Sequence, residues 1–167
     1  MKTILIPTDY RIESLKHIPG LLNKFETEEV EIIMVHMLSV TDCIRELLML
    51  SRRSAEYKHI PSDFYAVCMQ LKKDYPDQLK NIRLEFFYGN TVAVLKNFLE
   101  ANEVDAVLQI DNYEYRKLEK TSINPVEMIK RLGKSMVIIQ SDDLQPKAQP
   151  KLQVVRESEP ELTEELI

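Results

Sequence analysis

Five short runs of β-branched and other apolar residues recur along the chain: TILIP at 3–7, VEIIMVHML at 30–38, IRLEFFYG at 82–89, VDAVLQI at 104–110 and SMVIIQ at 135–140. Most of these runs do not alternate apolar with polar residues, so they read as strands buried on both faces. The segments between them carry apolar residues at helical spacing. Apolar strands separated by amphipathic helices imply a parallel sheet covered on both sides, with right-handed crossovers. At 167 residues the chain fits one such domain.

The helical segments are individually legible. Leu15, Ile18, Leu21, Leu22 and Phe25 share a face, and Pro19 and Gly20 imply a kink or a late start. A helix is expected near 41–55, where Ile44, Leu47 and Leu48 form a stripe suited to core or dimer contact. Another should run from Ser62 and Asp63 to about Lys73, with Pro61 and Pro76 as punctuation. The next spans 90–103, with Val92, Leu95, Phe98 and Leu99 inward. The last starts near Asn124, a capping residue followed by Pro125 in the first turn, and ends at Gly133.

Charge divides the chain into a domain at 1–141 and a tail at 142–167. The tail holds seven acids and three bases, so it carries four of the five net negative charges. It has little periodicity and is expected to be mostly disordered, with an edge strand conceivable at 151–155 and a short helix at 160–166. The domain lacks the basic footprint of a nucleic-acid binder. No run reaches the roughly 18 apolar residues of a membrane span, and the start is too short for a signal peptide's apolar region; a cytoplasmic protein is expected. Cys43 and Cys68 form no CxxC pair, and His17, His36 and His59 are scattered, so no metal site is expected. His36, among apolar neighbours, suits a core histidine bonded to backbone. No Gly-x-Ser-x-Gly turn or paired acid/base signature is present, and no catalytic residue is assigned.

In a doubly wound sheet, ligands bind beyond the carboxyl ends of the strands, where the strand order reverses. Those ends carry Asp9, His36 and Met37, Gly89 and Asn90, then Gln109, Ile110, Asp111, Asn112 and Tyr113, and Gln140. The loop QIDNYEYRKLEKTSINP (109–125) stands where many such folds place a glycine-rich phosphate loop, yet it has no glycine. Its tyrosines, with Arg116, could stack a ring or simply lie on the surface. Asp9 could equally cap the following helix, and Gly89 could serve only a turn.

KTILIPTDY, EIIMVHML, FYGN, VLKNFLEANEVDAVLQI and VEMIKRLGKSMVIIQ, in this order, resemble the strands and helices of universal stress proteins over about residues 2–140. The resemblance implies a single five-stranded parallel sheet of order 3-2-1-4-5 and a regulatory or protective cytoplasmic role without enzymatic activity. It also implies a homodimer paired through the last strand, at Met136, Val137, Ile138 and Ile139. ATP-binding relatives carry Gly-x2-Gly-x9-Gly-Ser/Thr after strand four. Laid on this chain, those glycines fall at Ile110, Tyr113 and near Ser122. All three are replaced, so a phosphate would meet side chains where it needs close backbone N–H groups. The expectation is a protein without ATP or another cofactor. The alternative is a nucleoside or small-molecule sensor using a remodelled crevice lined by Asp9, Met37, Gly89, 109–113 and Ser122.

Overall fold

The computed structural model describes residues 1–39 and 57–144. Strands β1 (Lys2–Pro7), β2 (Val30–Leu38), β3 (Leu79–Tyr88), β4 (Ala106–Gln109) and β5 (Val137–Gln140) alternate with helices α1 (Ile18–Lys24), α2 (Ser62–Asp74), α3 (Val92–Ala101) and α4 (Pro125–Lys130). The strands form one five-stranded sheet of order β3-β2-β1-β4-β5, and every pairing is parallel. The order reverses between β1 and β4, as the fold class requires.

Strand periodicity divides the core into two layers, because successive side chains point to opposite faces. Ile4 and Ile6 of β1 join Ile32, Met34 and Leu108 beneath α1 and α2, contacting Leu21, Leu22, Phe64 and Leu71. Leu5 joins Ile33, Val35 and Val107 on the other face, beneath Leu95 and Leu99 of α3 and Met128 and Ile129 of α4. Strands buried on both faces explain the near-continuous apolar runs in the sequence.

Element ends depart from the sequence expectation for local reasons. The first helix starts late: a 3-10 turn at Ile12–Leu15 precedes it, and Pro19 sits in its first turn, where a missing N–H costs nothing. β3 begins at Leu79, three residues early, under cover of polar Lys80 and Asn81. Its start is tied in by Gln78, whose carbonyl accepts from Val30 N and whose side-chain amide donates to the carbonyls of Leu22 and Phe25. β4 is shorter than expected because Val104 N still bonds to Leu99 O, and Glu103 turns the chain at φ 52°. The last helix stops at Lys130, and Gly133, at φ 55°, opens a 3-10 turn ahead of β5. The expected helix at 41–55, with Cys43 and the Ile44, Leu47 and Leu48 stripe, lies outside the described residues. So do the strand and helix suggested at 151–155 and 160–166.

Candidate functional site

The turn after β1 places Asp9. Thr8 Oγ1 accepts from Tyr10 N at 2.8 Å and lies 2.6 Å from Ser14 Oγ, which donates to Arg11 O. Tyr10 adopts φ 59°, a left-handed conformation that is costly for a bulky residue. Burial holds it there. Its ring is fully buried, edge-on to Phe64 at 5.2 Å, and its hydroxyl donates to Glu85 O at 2.6 Å. This turn delivers the Asp9 carboxylate, 0% exposed, to the carboxyl end of the sheet.

All four acceptor positions of that carboxylate are filled from within the chain. Oδ1 accepts from Tyr113 Oη at 2.7 Å and Arg11 N at 3.2 Å. Oδ2 accepts from Arg11 Nε at 2.8 Å and Arg116 N at 2.9 Å. A carboxylate offers about four lone-pair directions, so this one is saturated. Burial works to raise the Asp9 pKa, but the Arg116 amide, the Tyr113 hydroxyl and the two Arg11 donors outweigh it and hold the carboxyl below its ordinary range. The Tyr113 hydroxyl moves the other way, pushed far up by burial and by its bond to the Asp9 anion.

Two of the four donors, Tyr113 Oη and Arg116 N, come from the glycine-free segment 110–124, hereafter the strap, which folds back over the strand ends. Ile110 is 3% exposed and belongs to the core beneath α1 and α2. Asp111 N donates to Ser141 Oγ at 2.8 Å, and Asp111 Oδ2 accepts from Asp142 N at 3.0 Å, fastening the strap beyond β5. Asn112 takes φ 56°, a turn conformation that asparagine tolerates and that would otherwise call for glycine. Tyr113 and Tyr115 then pack edge to face at 4.8 Å, with the Arg11 guanidinium over the Tyr113 ring at 5.2 Å. The same guanidinium donates to Glu114 O at 2.6 Å.

Further along, the strap runs beside the end of β2. Ser39 N donates to Thr121 O at 2.7 Å and Ile123 N to Met37 O at 3.0 Å, on either side of an antiparallel bridge between Leu38 and Ser122. Ser122 Oγ accepts from Leu118 N at 3.1 Å and Glu119 N at 3.0 Å, and lies 2.7 Å from His36 Nε2. With both lone pairs occupied, the hydroxyl proton points at Nε2. His36 is therefore the neutral tautomer protonated at Nδ1, and that N–H donates to Thr8 O at 2.9 Å. Burial lowers the His36 pKa, although Asp9 and Glu119 favour its charged form.

The nine residues expected to line a crevice thus separate. Asp9 and Tyr113 meet directly. Ser122 bonds to His36. Met37 turns its side chain into the opposite core layer, and its carbonyl accepts from Ile123 N of the strap. Gly89 N donates to Leu38 O, and a Cβ there would lie 2.8 Å from both Phe87 Cζ and Val94 Cγ1. Gly89 is thus explained by packing. Gln109 pairs with Gln140 across β4 and β5, Asp111 is engaged beyond β5, Asn112 is exposed and Ile110 is core. Asp9 is not a helix cap: it accepts from Arg11 N within its own turn, and the following 3-10 turn has no side-chain cap. Sequence reasoning missed Arg11 and the backbone of Arg116 as Asp9 partners. It anticipated the backbone bond of His36 but not Ser122. Tyr113 and Tyr115 pack against each other edge to face.

Grooves lie elsewhere among the described residues. One, of about 490 Å³, lies between Lys96, Glu100 and Glu103 of the α3 region and Leu132, Ser135 and Met136 before β5. Another, of about 310 Å³, lies between Ile12, Leu15 and Pro19 and the α2 residues Val67 and Leu71. Among the described residues no group of three or more His, Cys, Asp or Glu is placed to hold a metal, and no helix is long and apolar enough to cross a membrane.

No protein-family model and no curated protein matches the sequence. Solved structures do match the fold. The universal stress protein UspA from Lactobacillus plantarum superimposes over 83% of this chain and 96% of its own, with a TM-score of 0.51 at 12% identity. A member of the universal stress protein family from Burkholderia pseudomallei aligns over 83% of this chain and 94% of its own, at 8% identity and TM-score 0.46. A universal stress protein in complex with cAMP aligns over 83% and 95%, at 14% identity and TM-score 0.44. With the strand order, the UspA likeness establishes a UspA-like α/β fold.

Proposed function

We propose that the chain is a universal stress protein-like regulatory or protective factor that works through protein contacts, without nucleotide or metal cofactor and without enzymatic turnover. The observation that carries this reading is the saturated carboxylate of Asp9. The polar group best placed to meet a ligand at the switch point already accepts from Tyr113, Arg11 and Arg116. A ligand bonding to Asp9 would have to displace donors already bonded to it, and buried donors left without acceptors are costly. Two of the three replaced glycines, at Ile110 and Tyr113, contribute side chains that pack in or over this end of the sheet, which supports the same reading. A cytoplasmic location accords with it.

Calorimetric titration with ATP and magnesium, AMP, cyclic AMP and adenosine tests it, with no binding heat expected. Micromolar affinity for any of them would overturn it in favour of the sensor reading. Phosphate release from ATP above a blank, abolished by Asp9→Ala, would revive an enzymatic one.

Dimerisation belongs to the same proposal. β5 is an edge strand, Val137 is 63% exposed, and Ile138 is half-buried. An apolar edge of this kind calls for cover, and a second copy pairing along Met136–Ile139 would supply it. Light scattering of the full chain should give a dimer mass.

A further inference from the structure

We propose that His36 and Ser122 form a proton-operated latch: neutral His36 holds the strap against β2, and a proton arriving at its Nε2 releases the strap while the sheet stays folded. The inference rests on hydrogen-bond arithmetic and is independent of whether the crevice takes a ligand. Ser122 Oγ already accepts from two backbone amides, Leu118 N at 3.1 Å and Glu119 N at 3.0 Å. Its proton is committed to His36 Nε2 at 2.7 Å. The other ring nitrogen is committed as donor to Thr8 O. A proton on Nε2 sets a donor against a donor. The hydroxyl can turn away only by giving up an amide it accepts from, and those amides lie in a part-buried strap where, among the described residues, Ser122 Oγ is their acceptor.

The groups facing the imidazole are specific. Asp9 approaches from the turn after β1 and Glu119 from the strap itself, and both favour the cation. His59, ahead of α2, opposes it when charged. The Tyr10 ring lies at 6.3 Å and the Phe86 ring at 6.0 Å from the imidazole. Asp9 cannot take the new proton's hydrogen bond, since its four positions are filled. His36 itself is 3% exposed, so the cation would be formed in a poorly solvated position. His59 also touches Glu119, Nε2 to Oε1 at 3.2 Å. That contact also holds the strap, so the two histidines must be separated experimentally.

The test is amide hydrogen exchange by NMR on the full chain from pH 7.5 to 5.0, corrected for the intrinsic pH dependence of exchange, with the His36 ring nitrogens followed in the same samples. At pH 7.5 the ring should show the Nδ1–H tautomer. On acidification Leu118, Glu119 and Ile123 should exchange at least tenfold faster, in step with His36 titration, while the β1 amides of Ile4 and Leu5 keep their protection. Ser122→Ala should make the strap amides exchange fast already at pH 7.5 and remove most of the pH response. His59→Gln should leave that response in place. Three results would each overturn the latch: strap protection that stays flat while His36 titrates, strap and β1 losing protection together, or a response abolished by His59→Gln. A His36 that stays neutral down to pH 5.0 would also overturn it.

Discussion

Tyr113 Oη donates to Asp9 Oδ1 at 2.7 Å across 104 residues of sequence, joining the turn after β1 to the loop after β4. The bond crosses the point where the strand order reverses. It is the shortest of the four that the Asp9 carboxylate accepts, and the only one made by a side chain of the strap.

Tyr113→Phe removes that donor and leaves the ring. Bonds to charged groups contribute about 1.5–3 kcal/mol, so the variant should unfold at lower urea concentration by about that free energy, with an unchanged m-value. The comparison is equilibrium unfolding followed by circular dichroism at pH 7.

Asp9→Asn should be worse. An amide presents one acceptor and two donors where the chain supplies four donors, so about 2–3 kcal/mol should be lost. The same geometry sets an acid limb. Because Asp9 is held below its ordinary range in the folded chain, its contribution is complete above the unfolded carboxyl value of roughly 3.9 and disappears as pH falls through the lower folded value. A stability profile from pH 6 to 2 should show a shallower acid limb in Asp9→Asn than in the parent. Parallel limbs would contradict the assignment.

The two glycines with a structural constraint should respond differently to alanine. Gly89→Ala forces a Cβ to within 2.8 Å of Phe87 Cζ and Val94 Cγ1, and overpacking of this kind costs about 1–3 kcal/mol. Gly133→Ala meets no atom within 4 Å but must hold φ 55°, at about 1–2 kcal/mol. Gly133→Asn should recover part of that loss and Gly89→Asn none, as thermal melts of the four variants would reveal.

Cys68 sits on the buried face of α2, and burial pushes its thiol up to about 11. Thiolate, not thiol, reacts with alkylating agents. Mass mapping after iodoacetamide at pH 7.5 should find Cys68 unmodified in the native protein and modified in urea. Comparable labelling in both would place the thiol elsewhere.

Val137→Arg puts a charge on the exposed edge of β5. If the edge pairs two copies, the variant should shift to monomer mass in light scattering while keeping the parent's circular dichroism spectrum.

The fold was readable because it is written in period and order. Five apolar runs with helices between them define a doubly wound sheet whatever their detailed ends, and Pro19 and Asn124 marked helix starts through ordinary backbone chemistry. β3 was read short because polar Lys80 and Asn81 interrupt its apolar pattern on a sheet edge, where the pairing is set by Gln78 from outside the strand. The site was legible only in outline. Missing glycines gave the expectation that the strap does not cradle a phosphate, and the topology brought Asp9 near 109–113. What the strap does instead depends on backbone donors such as Arg116 N, which any residue but proline supplies and no residue name advertises. Arg11 escaped notice for a related reason: an arginine next to an aspartate in a surface turn looks like a solvated pair until the chain closes over it.

The strap also fixes a quantity that a diffusible ligand would leave to the cell. An occupant tethered to the site it fills has an effective concentration set by chain geometry, on the order of millimolar for short linkers. Tyr113 and the Arg116 amide therefore act on Asp9 at constant strength, whatever the metabolic state around the protein. Any group competing for Asp9 would have to overcome them by its concentration and affinity together. The strength of that occupancy is written in the length and composition of one loop.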